Sequence, residues 1–78
     1  MSRENPEYAE VSLRIKTLRK ELKETQESFG KTIGLKRQDI HAIETGNRKP
    51  GLTVLYRISI EFNVSLDWIV FGIKEDHS

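Results

Sequence analysis

Residues 25–46 read Thr25-Gln26-Glu27-Ser28-Phe29-Gly30-Lys31-Thr32-Ile33-Gly34-Leu35-Lys36-Arg37-Gln38-Asp39-Ile40-His41-Ala42-Ile43-Glu44-Thr45-Gly46. Phe29 and Ile33 stand four apart and Ile40 and Ile43 three apart, so each pair shares one helical face. Thr25 is a good N-cap, because its hydroxyl can accept from an early helical N–H. Gly30 is small where two helices would cross closely. Gly34 supplies the positive φ that a sharp helix-to-helix turn needs, and Gly46 closes the second helix in the same way. The stretch predicts two short helices, at about 26–33 and 37–45, joined by a tight turn with Leu35 beside it.

A plain helical hairpin explains the apolar spacing. The glycine offsets, together with the basic, amide-rich first turn Lys36-Arg37-Gln38, fit instead a helix-turn-helix whose second helix can enter a DNA major groove. Working outward, Val11, Ile15, Leu18 and Leu22 recur at steps of four, three and four, a core-facing stripe on a helix at about 8–23. Asn47-Arg48-Lys49-Pro50-Gly51 is a polar loop by composition. Leu52, Leu55, Ile58 and Phe62 resume helical spacing over about 52–62. Asn63 suits a left-handed C-terminal position. Ser65 caps a fifth helix, 66–71, which Gly72 ends. The domain division is a loose polar arm at 1–10, the helical domain at 11–72 and a short polar tail at 73–78.

The 78 residues make one small domain with no cysteine to staple it, so compact helices or self-association must supply its stability. No apolar run is long enough to span a membrane and no signal peptide stands at the N-terminus, so no membrane association is expected. Without cysteine the chain suits the reducing cytoplasm, the location expected for it. Net charge is +1, but residues 11–57 hold eleven Lys or Arg against five acids, a net of +6, while both ends are acidic. A basic middle suits a phosphate-facing surface. With two histidines and no cysteine, no metal site is expected. Nor is a Gly-rich phosphate loop or a Ser/His/acid grouping present, so neither catalysis nor a cofactor nor a small-molecule ligand is inferred. Trp68, Ile69, Val70, Phe71 and Ile73 form an apolar run longer than one helix face can bury. Some of it is core. The surplus at Trp68, Val70, Phe71 and Ile73 reads as a two-fold dimer contact.

With five helices placed, the chain resembles the Cro/C1-type, lambda-repressor-like helix-turn-helix domain of phage repressors and the xenobiotic-response-element family, an all-α compact five-helix fold. The likeness covers about residues 11–72. It rests on Arg14-Ile15-Lys16-Thr17-Leu18-Arg19-Lys20, Thr25-Gln26-Glu27, Gly34-Leu35, Ile43-Glu44-Thr45-Gly46, Lys49-Pro50 and Asn63-Val64-Ser65-Leu66-Asp67-Trp68-Ile69. It implies that Lys36, Arg37, Gln38, Asp39 and Ala42 face base edges, with Arg37 able to take a guanine, Gln38 an adenine and Ala42 a thymine methyl. Asp39 either accepts from a cytosine amino group or serves as an acid near a helix N-terminus. Thr25, Gln26, His41, Thr45, Asn47, Arg48 and Lys49 would meet phosphates, and Gln26 would also brace the first turn of the recognition helix. Arg19 and Glu44 match a pair that joins the first helix to the end of the third.

The chain departs from that pattern in four places. Glu24 stands where an apolar residue usually forms a staple ahead of the second helix. Ser28 replaces the acid of a capping box, which should weaken it. Lys36 replaces the usual Ser or Thr cap of the third helix, so that helix starts differently or Lys36 serves phosphate. Gly51 stands where Ser usually caps the fourth. The implied function is a sequence-specific regulator of transcription, acting on double-stranded DNA as a homodimeric repressor at an inverted repeat. The alternative is an antitoxin-like or accessory protein of the same fold whose main partner is another protein.

Overall fold

The computed structural model describes residues 6–73. Over that range five helices follow one another: α1 Pro6–Glu21, α2 Gln26–Thr32, α3 Arg37–Glu44, α4 Leu52–Phe62 and α5 Asp67–Phe71, the last wound as one wide π-type turn. All five feed one core. Val11, Ile15 and Leu18 come from α1, Phe29 from α2 and Ile33 from its C-cap, Ile40 and Ile43 from α3, Ile58 from α4 and Ile69 from α5. Phe29 and Phe62 stack with ring centroids 4.5 Å apart, tying α2 to α4. Leu35, Val54 and Leu55 pack against this cluster from its edge.

The helix ends follow local chemistry. Gly34, Gly46 and Gly72 have φ of 80°, 82° and 74°, and Asn63 has φ 56°, all left-handed. Ser65 Oγ accepts from the Trp68 N–H at 3.0 Å, capping α5. A Cβ placed on Gly30 would lie 2.8 Å from the Leu35 carbonyl oxygen and 3.0 Å from Ile40 Cγ1. No side chain fits there, so α2 lies with its backbone close against the turn that leads into α3, and Ile40 packs directly on the glycine.

Three expectations need correction. α1 begins at Pro6, so residues 6–10 are helical and only 1–5 of the expected loose arm remain, outside the described residues. Tyr8 packs against the core and so carries the helix back beyond Val11. Of the expected tail, 74–78 also fall outside. Leu22 follows the end of α1 and is exposed, not core-facing. The chain reverses there through Lys23, whose φ is 59°, with the Glu24 N–H donating to the Arg19 carbonyl at 3.1 Å and the Lys23 N–H to that of Lys20 at 3.0 Å. Leu52 is 77% exposed, because the first turn of α4 precedes the point where Val54 and Leu55 reach the core.

Candidate nucleic-acid interface

The site is built on the turn between α1 and α2. Thr25 Oγ1 accepts from the Ser28 N–H at 3.0 Å, and Ser28 Oγ accepts in return from the Thr25 N–H at 3.0 Å. Ser28 thus completes the reciprocal box that it was expected to weaken, because its hydroxyl reaches the cap N–H as an acid would. The same hydroxyl donates to Glu24 Oε1 at 2.6 Å, which gives the polar residue at the usual staple position a partner.

Behind this turn lies a buried polar network. Arg19 Nε donates to Glu44 Oε2 at 2.6 Å and Nη2 to Oε1 at 3.1 Å, a bidentate pair. Arg19 Nη1 donates to the Glu24 carbonyl at 2.9 Å. Gln26 Nε2 donates to Glu44 Oε1 at 3.0 Å. The side chains of Arg19 and Glu44 are 12% and 2% exposed. One carboxylate therefore joins α1, the start of α2 and the last residue of α3. Hydrogen bonding to Glu44 lifts the Arg19 pKa above its ordinary value; burial opposes this and the Glu44 charge adds to it. A cation with a raised pKa stabilises fully below its unfolded value and is lost only above its folded one, so the guanidinium stays charged through neutral and acid pH. Gln26 was expected to brace the first turn of the recognition helix. It braces the last, because the buried acceptor, Glu44, sits at that end.

At the other end of α3, Asp39 Oδ2 accepts from the Lys36 N–H at 3.0 Å, closing half of a capping box. Lys36 cannot supply the other half, since an ammonium has no acceptor. Asp39 Oδ1 accepts from Arg48 Nη1 at 2.9 Å. Each carboxylate oxygen thus has a partner within the protein, one of them at the helix N-terminus, and Arg48 folds back onto α3.

Ile40 and Ile43 turn inward, while Lys36, Arg37, Gln38 and His41 are exposed and Ala42 is half-buried. After α3, Thr45 Oγ1 donates to the Ala42 carbonyl at 3.1 Å and Asn47 Nδ2 to Thr45 Oγ1 at 3.1 Å; Thr45, Asn47 and Lys49 are exposed. Beside the start of α3 an open depression of about 410 Å³ brings Lys31 of α2 together with Lys36, Arg37 and Gln38. Lys31 went unnoticed in the sequence because its position on α2 gave no sign of that neighbourhood. Among the described residues no group of three or more His, Cys, Asp or Glu is placed to hold a metal. No described helix is long and apolar enough to cross a membrane.

The apolar residues near the C-terminus divide. Trp68 packs on the core and Val70 is half-buried, whereas Phe71 and Ile73 are 69% and 57% exposed. The end of α5 is held by a residue that sequence reasoning missed. Arg14 Nε donates to the Ile69 carbonyl at 2.9 Å and Nη2 to that of Val70 at 3.0 Å. A guanidinium against the last carbonyls of a helix satisfies groups that the helix cannot satisfy itself.

A helix-turn-helix family model matches residues 15–69, which span the Arg19–Glu44 network and both arms of the motif. The chain belongs to the Cro/C1-type helix-turn-helix family. Among curated relatives of this helix-turn-helix protein, an uncharacterized HTH-type transcriptional regulator of Archaeoglobus fulgidus is 33% identical over 63 residues, covering 81% of this chain and 89% of the relative. The uncharacterized HTH-type transcriptional regulator YgzD of Bacillus subtilis is 33% identical over 64 residues, covering 82% and 96%. No solved structure matches.

Proposed function

We propose that this helix-turn-helix protein regulates transcription by binding specific duplex DNA, with α3 in the major groove. Family membership and the two transcriptional regulators support the coarser part of that reading. The observation that carries the finer part is the mounting of α3. Its last residue, Glu44, is tied to α1 and α2, and the turn that leads into it is held by the Leu35 N–H on the Gly30 carbonyl, while Lys36, Arg37 and Gln38 stand exposed at its N-terminal end. In this motif that end meets the base edges. Arg37 takes a guanine, Gln38 an adenine or a neighbouring phosphate, and Ala42 a thymine methyl. Thr25, Gln26, His41, Thr45, Asn47 and Lys49 position the protein on phosphates, which fix register without reading sequence.

Repression of an inverted-repeat operator by a cytoplasmic homodimer completes the proposal. Exposed Phe71 and Ile73 supply the apolar surface for self-association. Selection of bound sequences from random duplex DNA tests the whole. The expected product is an inverted repeat with half-sites about one helical turn apart, roughly 34 Å, and affinity for it should fall steeply with salt. Recovery of no preferred sequence would sink the DNA-reading proposal. Recovery of a single half-site would sink the dimer.

A further inference from the structure

We propose that Arg48 reads a base and that Asp39 is the residue that positions it. The inference rests on the DNA-binding proposal and goes beyond it, since the family resemblance implies only a phosphate contact for Arg48.

The path of the side chain is the first argument. The Arg48 backbone N–H donates to the Ala42 carbonyl at 3.1 Å, beyond the middle of α3. Its Nη1 reaches Asp39 Oδ1 in the first turn, at 2.9 Å. The side chain therefore runs back along α3 toward the N-terminal end. Asp39 and Ala42 stand three apart and share one side of the helix. The single methyl of Ala42 leaves that side open to a long side chain arriving from the loop.

The second argument is that the acceptor is itself anchored on α3. Asp39 Oδ2 accepts from the Lys36 N–H at 3.0 Å, so the carboxylate is tied to the start of α3 with Oδ1 turned to Arg48. An arginine held through Nη1 keeps its Nε and Nη2 edge, the planar fork that matches O6 and N7 of guanine. Among the described residues that edge makes no hydrogen bond, and the Arg48 side chain is 45% exposed. The third argument is electrostatic. A carboxylate 2.9 Å away offsets much of the guanidinium's pull on a phosphate, yet it leaves intact the geometry that reads a neutral base edge.

The test uses the full chain on its selected operator and on a panel of single-base variants, at several salt concentrations. Arg48→Lys keeps the charge and loses the fork. It should flatten the preference for guanine at one base-pair position by about 5- to 150-fold, with the salt slope unchanged. Asp39→Asn retains a side-chain oxygen for the Lys36 N–H, so α3 keeps its cap. It should lower the same preference, and add nothing in the Arg48→Lys background. Thermal melting identifies any variant that fails to fold. An unchanged preference profile in folded Arg48→Lys overturns the proposal. So does Arg48→Ala weakening all sequences equally while reducing the salt slope by about 1, the signature of a phosphate contact. If the wild type selects no sequence at all, DNA reading itself falls and takes this assignment with it.

Discussion

The two ends of α3 carry the same contact, a carboxylate on a guanidinium, in opposite surroundings. At the C-terminal end Glu44 and Arg19 are 2% and 12% exposed and make further bonds to Gln26 and the Glu24 carbonyl. At the N-terminal end Asp39 and Arg48 are 31% and 45% exposed, with one further bond to a backbone N–H. Removing one member of a buried pair strands a charge out of water, whereas an exposed pair exchanges its partner for solvent at little cost. The pairing of the same two charged groups is thus a fixture of the architecture at one end, where it is bidentate and buried, and a single, solvent-accessible contact at the other.

Arg19→Ala tests the fixture. It should lower unfolding stability by about 3–5 kcal/mol in urea denaturation, a large share of what so small a domain has. A loss below about 1 kcal/mol would erase the distinction between the ends. Arg14 supplies an intermediate case: a guanidinium 18% exposed that binds two carbonyls of α5 and lies 3.5 Å from an exposed Glu10. Arg14→Ala should cost about 1.5–3 kcal/mol, the range for hydrogen bonds involving a charged group, and hydrogen exchange should quicken first in α5. Arg48→Ala should change stability least, by under about 1 kcal/mol, while altering DNA binding most. Finding that Arg48→Ala destabilises as much as Arg19→Ala would break the comparison outright.

What the sequence disclosed follows the range of the interactions involved. The bounds of α2, α3 and α4 fall within about one residue of their predicted places, because caps, glycines and apolar spacing act over a few residues. The left-handed positions at Gly34, Gly46, Asn63 and Gly72 were legible for the same reason. Lys23 was not, since lysine has no local preference for that conformation and adopts it only because the chain must turn from α1 into α2. Spacing and charge alone do not connect Arg19 with Glu44, 25 positions away; only the family resemblance suggested the link. Nothing in the sequence pointed Gln26 toward Glu44, Arg14 toward α5 or Arg48 toward Asp39. Those contacts depend on where helices and loops come to lie. The wide winding of α5 was also hidden, because its period differs from that of an ordinary helix over only five residues.

The contact at Gly30 bears on which positions can change without disturbing the frame. With the Leu35 N–H 2.7 Å from the Gly30 carbonyl and no space for a Cβ, α2 and the turn into α3 meet at a hard stop. The turn between the two helices is held by a backbone contact, and Ile40 packs its side chain against the same glycine. Arg37, Gln38 and His41 take no part in holding that turn, as their side chains make no hydrogen bond among the described residues and point away from the core. Substitution at those three positions should therefore leave the frame that presents them unaltered.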